Sequence, residues 1–344
     1  MSEQGGLSYR AAGVDLDAAD RTKGALKDLV ARTRDENTLS EMGLFGGLYA
    51  VPGDLSQPVL VSSADGVGTK LKIAFMTGRH DTVGQCLVNH CVNDILVQGA
   101  TPLFFLDYLA TGRLDEGVVT GVVSGVAQGC LENRCALLGG ETAEMPDFYE
   151  VGEYDLAGFI VGAVERGQIL DGSQVRAGDV LIALGSNGLH TNGYSLARKI
   201  VFEAMGLEVD DPLPGLDRTV GEALLAIHRS YLSSVRPLLG KGRLRGLAHI
   251  TGGGILGNLP RTLPEGLGAR ISLDSWEIPP LFRALQKGGR VAHHEMFRVF
   301  NMGVGMIAIV GEEDAGGVAE DLAASGETSW ILGKVVEGEG VELV

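Results

Sequence analysis

Clusters of glycine that follow short apolar runs are the feature that most restricts how this chain can fold. Glycine accounts for 52 of the 344 residues, roughly twice its usual share of about 7 %. No collagen-like period runs through these glycines, so a triple helix is excluded. The clusters are instead typical of tight turns and of backbone that approaches a ligand closely, because no side chain obstructs it.

Composition and length indicate a globular protein with two cores. Hydrophobic residues make up 45 % of the chain and charged residues 21 %, which is too apolar for a disordered protein. A chain of 344 residues has about twice the length of a typical domain. No apolar run approaches the ~20 residues of a membrane span, and the N-terminus shows no signal segment. We therefore expect a cytoplasmic protein without a membrane partner.

The charge balance limits the choice of ligand. Lys and Arg total 28 against 44 Asp and Glu, for a formal net charge of −16. This sign disfavours a nucleic-acid partner, because such proteins gain affinity by neutralising phosphates. A small nucleotide remains compatible, since local backbone amides, a lysine and a divalent metal can hold its phosphates.

Helices and strands alternate along both halves of the chain, which predicts two mixed α/β domains. The polar stretch 165–179 separates them, so we expect domains at 1–168 and 169–344. In the first half we predict helices 18–32, 82–97 and 116–131 and strands 58–64, 103–108, 135–138 and 156–164. In the second half we predict strands 180–184, 269–273, 303–310 and 331–335, the last of these closing the chain.

The most informative segment is 65–70, Asp-Gly-Val-Gly-Thr-Lys, which directly follows a predicted strand. A metal-bound polyphosphate needs these parts: Asp65 for the cation, the unobstructed amides of Gly66 and Gly68, and Lys70 for a phosphate oxygen. The segment is not a Walker loop, because the four-residue spacer of that motif is missing. The alternative is an ordinary strand-to-helix turn with a surface lysine.

Two further acids extend this pattern. Asp94 follows Asn93 on a predicted helix, one turn after His90. Buried polar side chains need partners, so this helix face either binds something or is exposed. Glu141 follows a predicted strand and two glycines, which favours a carboxylate at the end of a sheet. Acids from three separate segments, Asp65, Asp94 and Glu141, predict a Mg²⁺ site.

The second half offers a histidine on a predicted loop. His190 lies in residues 188–195, Gly-Leu-His-Thr-Asn-Gly-Tyr-Ser, just before a predicted helix. A helix N-terminus can hold a phosphate, and histidine moves protons near neutral pH. A purely structural loop histidine is the alternative.

Residues 252–257 imitate a dinucleotide-binding fingerprint, Gly-x-Gly-x-x-Gly. Pro260 and Pro264 follow within a few residues and leave no room for the long helix of that motif. We expect instead a glycine turn that lines a phosphate pocket.

Taken together, these motifs resemble the aminoimidazole ribonucleotide synthetase family. The segments that carry the resemblance are 65–70, 93–94, 139–146, 190–195 and 251–254. Segments near both ends agree as well: 7–9, 12–15, 293–296 and 300–306.

The resemblance implies a mixed α/β (α+β) fold of two domains that binds ATP. The N-terminal domain would have a mixed sheet and pair with its copy in a homodimer, and the C-terminal α/β sandwich domain would contribute substrate and phosphate contacts. The implied reaction converts formylglycinamidine ribonucleotide and ATP to aminoimidazole ribonucleotide, ADP and phosphate, with Mg²⁺. A phosphorylated formyl oxygen would be the intermediate.

The resemblance also implies roles for individual residues. Asp65, Asp94 and Glu141 would hold the metal, and His190, Asp94 and Lys70 would be catalytic. His190 would either move a proton or hold the substrate phosphate. ATP or phosphate would be bound by Lys27, Gly46, Gly47, Gly66, Gly68, Thr69, Lys70, Gly139, Gly140, Asn192, Gly252 and Gly253.

Two alternatives remain open at this point. One is a related ATP-dependent enzyme on the same scaffold, such as the formylglycinamide ribonucleotide amidotransferase that acts one step earlier. The other is a non-catalytic nucleotide-binding regulator. A regulator is expected to have lost one of the three acids or Lys70, and the sequence retains all four.

Overall fold

Two β-sheets organise the protein. The structure, a computed structural model, describes residues 16–43 and 45–344, with side chains from residue 20 onwards. The expected mixed α/β fold with two domains is confirmed. The segments at 7–9 and 12–15 that contribute to the family resemblance lie outside the described residues. Within the described part of the chain, no helix is both long and apolar enough to cross a bilayer.

The N-terminal domain contains a mixed four-stranded sheet in the order β1-β4-β2-β3. Strands β1 and β2 both pair antiparallel with β4, whereas β2 and β3 run parallel. The elements are α1 (Leu16–Ala31), β1 (Pro58–Gly66), α2 (Leu71–Thr77), α3 (Asp81–Leu96), β2 (Thr101–Thr111), α4 (Glu116–Asn133), β3 (Ala136–Glu144) and β4 (Tyr154–Glu165).

Two glycines allow α3 and α4 to pack very closely on one face of this sheet. A Cβ on Gly84 of α3 would lie 2.2 Å from the carbonyl oxygen of Val122, and a Cβ on Gly125 of α4 would lie 1.8 Å from that of Asp81. Side chains at these two positions would collide with backbone, so glycine is required for space and not for an unusual φ. The contact fixes α3, which carries several site residues.

The C-terminal domain is built on a six-stranded sheet in the order β10-β7-β9-β5-β8-β6. Its central strands β5 and β8 are apolar and buried along their whole length, as expected for strands covered on both faces. The elements are β5 (Val180–Gly185), α5 (Tyr194–Arg198), a π-helical turn (Lys199–Ala204), α6 (Val220–Leu224), α7 (Leu232–Val235), β6 (Leu244–His249), α8 (Gly254–Asn258), β7 (Leu267–Ile271), α9 (Pro280–Gly289), α10 (His293–Val299), β8 (Val304–Val310), α11 (Ala315–Ala324), β9 (Ser329–Glu337) and β10 (Val341–Leu343).

Helix α3 also forms the contact between the two domains. The side-chain amides of Asn89 and Asn93 donate to the backbone carbonyls of His228 and Arg229, at 2.7 Å and 2.8 Å. The polar face of this helix therefore has partners, and these partners belong to the other domain. Both asparagines are buried at this contact.

Two sequence predictions about strands are wrong. The strand predicted at 135–138 runs on to Glu144, so Gly139, Gly140 and Glu141 lie inside β3 and not at a turn after it. The reason for glycine is again space, because a Cβ on Gly140 would lie 2.0 Å from a carboxylate oxygen of Asp107 on the neighbouring strand. The strand predicted to close the chain is followed by the short β10.

Candidate active site

A cavity of about 530 Å³ lies between the two domains. Strand β1 and helix α3 line one side, and β6 with the residues after it lines the other. The lining residues are Val61, Ser62, Ser63, Asp65, His90, Asp94, Val97, Gln98, Leu170, Asp171, Leu247, Ala248, His249, Thr251, Asn258, Arg261 and Thr262.

Asp65 and Asp94 meet at one end of this cavity through a shared histidine. His90 Nε2 lies 2.8 Å from Asp65 Oδ2 and 3.7 Å from Asp94 Oδ2. His90 is buried, whereas the two carboxylate side chains are 43 % and 26 % exposed. The structure therefore brings these two acids together from β1 and α3, and the metal-binding role expected for them stays a prediction. Both keep a surface that a ligand in the cavity can reach.

Each carboxylate is also held by a second group. The backbone amide of Gly66 donates to Asp65 Oδ1 at 2.7 Å. His249, at the end of β6, lies with Nδ1 2.8 Å from Asp94 Oδ1, and the hydroxyl of Ser63 donates to Asp94 Oδ2 at 3.1 Å. These contacts fix the orientation of both acids before any ligand is bound.

The protonation states follow from these contacts. Burial raises the pKa of Asp65, but the hydrogen bond and the charge of His90 outweigh it, so this pKa lies below its ordinary value. Burial also raises the pKa of Asp94, and its contacts with His249 and His90 again bring it below the ordinary value. For His90, burial lowers the pKa, but the bond to Asp65 and the charge of Asp94 prevail and raise it. The result is two carboxylates that ionise more readily than usual beside a histidine that holds its proton more firmly than usual.

Four of the seven histidines form one cluster beneath the acids. The rings of His90, His228 and His249 lie with their centroids 5.2 Å from one another, and His190 stacks on His228 at 4.0 Å. Burial lowers the pKa of both His190 and His228 well below the ordinary value, so both rings are neutral.

The structure does not place Lys70 as the sequence predicts. Its side chain is completely buried, and Nζ donates to the carbonyl oxygens of His190 at 2.9 Å and Ala226 at 2.6 Å. Cys86 Sγ lies 3.1 Å from the same nitrogen. Lys70 therefore joins the domains and does not line the cavity. A lysine with every donor directed at protein atoms has none left for a phosphate.

Glu141 also lies apart from the other two acids within one chain. Residues Asp65, Gly158, Asp107 and Gly140 occupy one row across the sheet, and Glu141 belongs to the next row. Side chains of successive rows point to opposite faces, and three strand spacings separate β1 from β3 by roughly 14 Å. A single chain therefore brings together Asp65 and Asp94 of the three predicted carboxylates, and not Glu141.

His190 is not on an open loop. Its ring is 1 % exposed and both ring nitrogens lack a hydrogen-bond partner among the described residues. Its backbone has a φ of +60°, which is rare for a residue with a side chain. A buried neutral imidazole at this position has no direct contact with the cavity. This placement contradicts the expected hold on a substrate phosphate, because the ring carries no charge and reaches no solvent.

None of the remaining predicted residues, all of which belong to the described part of the chain, lines the cavity. Thr69 is exposed and its hydroxyl lies 3.2 Å from that of Ser195. A Cβ on Gly252 would lie 3.2 Å from Asn192 Oδ1, so these two positions adjoin. Gly47 packs against Leu138, next to β3. Residues with at least partial exposure are Lys27, Gly46, Gly47, Gly66, Gly68, Gly139, Gly140, Asn192, Gly252 and Gly253.

Sequence reasoning missed three cavity or cluster residues. His228 and His249 stand alone in the sequence, with no metal-type spacing to mark them. Arg261 is the one Lys or Arg among the described residues that line the cavity. Arg261 follows the glycine segment 252–257 within a few residues, and from this proximity its place near the phosphate pocket could have been predicted.

Comparisons with known proteins identify the class to which this fold and site belong. A family profile described as "AIR synthase related protein, N-terminal domain" matches residues 49–164, and its C-terminal counterpart matches residues 176–344. The chain therefore belongs to the AIR synthase related family.

Curated relatives within this family share a more particular name. The phosphoribosylformylglycinamidine cyclo-ligase of Sorangium cellulosum is 55 % identical over 332 residues, which cover 96 % of this chain and 95 % of the relative. The protein of the same name from Geobacter sulfurreducens is 51 % identical over 341 residues, 98 % of each chain.

Solved structures with the same fold are more distant in sequence. Thiamine-monophosphate kinase from Stenotrophomonas maltophilia superposes with a TM-score of 0.71 at 17 % identity, covering 93 % of this chain and 95 % of the kinase. Hydrogenase maturation protein HypE in complex with ATP gives a TM-score of 0.67 at 17 % identity, covering 93 % and 86 %. At this identity the likeness shows the fold alone.

Proposed function

We propose that this chain catalyses the ATP-dependent cyclisation of formylglycinamidine ribonucleotide to aminoimidazole ribonucleotide, a ligase reaction of purine biosynthesis. Relatives named for this reaction are about half identical over nearly the whole length. The structural observation that carries the proposal is the pair of oriented carboxylates, Asp65 and Asp94, at one end of the interdomain cavity.

The chemistry explains why ATP is needed. An amide-type oxygen is a very poor leaving group, so the formyl oxygen must first be phosphorylated. That oxygen attacks the γ-phosphorus of ATP and ADP departs, which leaves a phosphorylated imidate. The amidine nitrogen then attacks the formyl carbon, and the carbon–oxygen bond breaks to release phosphate and close the ring.

Asp65 and Asp94 are suited to hold the Mg²⁺ that accompanies ATP. Both offer partly exposed carboxylate oxygens, and oxygen ligands are the ones that Mg²⁺ prefers. When bound, the ion neutralises charge on the phosphates during transfer. His90 and His249 would keep the two carboxylates ionised and correctly oriented, as outer hydrogen bonds commonly do for metal ligands.

Arg261 is a candidate contact for the 5′-phosphate of the substrate. Its guanidinium donates to Asn258 Oδ1 at 3.3 Å, and it lines the cavity together with Asp65 and Asp94. Arg261 would bind the phosphate of the ribonucleotide, and the two carboxylates would bind the metal of the ATP complex. One cavity would then hold two anionic ligands, each recognised by a different group.

We further propose that the protein works as a homodimer. On the face of the N-terminal sheet opposite α3, Leu60 and Phe159 are 59 % and 44 % exposed when the described residues alone are considered. Glu141 belongs to the same face by its row in the sheet. A second copy on this face would supply the Glu141 side of the ATP site.

Phosphate release from ATP tests the proposed reaction. We expect release only when formylglycinamidine ribonucleotide is present, with one aminoimidazole ribonucleotide formed per phosphate. Asp94→Asn should lower the turnover rate by about 100-fold, because a neutral amide oxygen holds a divalent cation less tightly than a carboxylate does. Unchanged circular dichroism would show that this variant folds. ATP consumption without product would reject the cyclase, and binding of ATP without any turnover would favour a regulator.

Mixing two inactive variants tests the homodimer. If each ATP site draws residues from both copies, Asp94→Asn and Glu141→Gln chains should form mixed dimers that contain one intact site. We expect partial recovery of activity after mixing. No recovery despite subunit exchange would show that Glu141 does not complete the neighbouring site.

A further inference from the structure

The histidine cluster beneath the acids contains three ring nitrogens that can meet, and the proposed reaction uses this group only through His249 Nδ1, which contacts Asp94. His190, His228 and His249 each offer a ring nitrogen, and these three nitrogens lie within 4.8 Å of one another. All three side chains are buried. Unlike Asp65 and Asp94, this group offers only nitrogen ligands, which Mg²⁺ disfavours and zinc-type ions accept.

The spacing of two of these rings fits a tetrahedral ion. Nε2 of His228 and Nε2 of His249 lie 3.1 Å apart. Two nitrogens bound to Zn²⁺ at 2.0–2.1 Å in tetrahedral geometry are about 3.3 Å apart. Without a cation, one of the two nitrogens must carry a proton to avoid lone-pair repulsion.

Outer contacts hold the opposite edge of the same two rings. His249 Nδ1 lies 2.8 Å from Asp94 Oδ1, and His228 Nδ1 lies 3.2 Å from the hydroxyl of Thr191. An imidazole that binds a metal through one nitrogen almost always donates its other N–H to a carboxylate or another oxygen. Both rings can adopt that tautomer here, with each Nδ1–H directed at oxygen and each Nε2 lone pair available to an ion. The side-chain amide of Asn93, 3.3 Å from His228 Nε2, would then give up this long contact and keep its bond to the Arg229 carbonyl.

The third ring supplies an independent observation. His190 is 1 % exposed, and neither of its ring nitrogens has a hydrogen-bond partner among the described residues. Buried polar atoms without partners are rare and call for an explanation such as an ion. The ring stacks on His228 at 4.0 Å, so it must turn about its side-chain bonds to share an ion with the other two.

We propose that His190, His228 and His249 form a binding site for a transition-metal ion of the zinc type, separate from the Mg²⁺ site. Three imidazoles with one further position filled by water are a known ligand set for Zn²⁺. The ion would tie together the segment after β5, the segment before α7 and the end of β6. It would also fix His249, which orients Asp94. This proposal does not depend on the reaction proposed above.

Metal analysis of the protein purified without chelator gives the first test. We expect about one zinc per chain, removable by a strong chelator, and visible ligand-field bands when Co²⁺ is added to the stripped protein. X-ray absorption at the metal edge should show imidazole nitrogens and no bidentate carboxylate, a measurement that needs no variant. A stripped protein that binds neither Zn²⁺ nor Co²⁺ would refute the site.

Variants separate this site from the neighbouring acids. His228→Gln should lose the metal, whereas the exposed His293→Gln should keep it as the matched control. Asp65→Asn should keep the metal while losing activity. If His228→Gln retains full metal and His90→Gln loses it, the ion belongs to the carboxylate side and the proposal is wrong. Should His228→Gln fail to fold, Thr191→Val provides the same test through an affinity weakened by about 10-fold.

Discussion

Replacing Lys70 with methionine distinguishes an interdomain contact from a phosphate ligand. Hydrogen bonds from a charged donor contribute about 1.5–3 kcal/mol each, and Lys70 makes two to carbonyl oxygens. The hydroxyl of Tyr194 lies 3.3 Å from the carbonyl of His190, but it donates its single proton mainly to the carbonyl of Leu224 at 2.6 Å and replaces little of the lost bond. The carbonyl of Ala226 retains no other partner among the described residues. Relief from burying an ammonium group offsets part of this loss. We expect Lys70→Met to lower the free energy of unfolding by about 2–4 kcal/mol.

Denaturant unfolding of the variant and of a neighbouring control provides the measurement. Lys72 forms an ion pair with Glu153 in which the two side chains are 40 % and 33 % exposed. Such a pair contributes about 1 kcal/mol or less, so Lys72→Met should unfold nearly as the parent does. A Lys70→Met protein of unchanged stability, with a KM for ATP raised more than about 10-fold, would refute the reasoning and restore Lys70 to the phosphate site.

Three further predictions concern stability and substrate binding. Burial raises the pKa of Asp107 to about 7. The unfolded chain loses this proton at lower pH, so at pH ~8 folding must bury an ionised carboxylate, whereas at pH ~4 the group is largely neutral in the folded protein. In urea titrations, Asp107→Asn should therefore stabilise the protein at pH ~8 and have little effect at pH ~4. Gly125→Ala should cost roughly 1–3 kcal/mol or more by collision with the Asp81 carbonyl, whereas Gly24→Ala on exposed α1 should be neutral or slightly stabilising; equal melting temperatures would contradict this. Arg261→Gln should raise the KM for formylglycinamidine ribonucleotide at least about 10-fold and leave the KM for ATP unchanged, and the opposite pattern would move Arg261 to the nucleotide.

The local part of the site was predictable from the sequence because its signals are local. An apolar strand that ends in Asp65 and a helix that carries Asp94 both follow from periodicity. The glycines at 139–140 show where local reasoning fails. They read as a turn, but the neighbouring strand needs room for Asp107, and only the pairing of β2 with β3 reveals this.

Long-range partners account for the other differences. The carbonyl oxygens that bind Lys70 belong to residues 120 and 156 positions further along the chain. His228 and His249 likewise reach the site only because β6 and the segment before α7 pack under α3. Sequence spacing does not connect residues that meet only when two domains pack together. The buried histidine cluster could therefore not be predicted from the sequence.

One continuous path of polar contacts links the two carboxylates through both domains, and the Nε2–Nε2 contact of His228 and His249 within it is either a hydrogen bond or, with the proposed ion, a shared metal. It leads from Asp65 to His90, from His90 Nδ1 to the Thr191 hydroxyl at 2.6 Å, through one further histidine to His249, and back to Asp94. Asp65, His90 and Asp94 belong to the N-terminal domain, whereas Thr191 and His249 belong to the C-terminal one. The orientation of both acids therefore depends on how the domains pack. A substitution that loosens this contact should impair ATP binding even when it touches neither carboxylate.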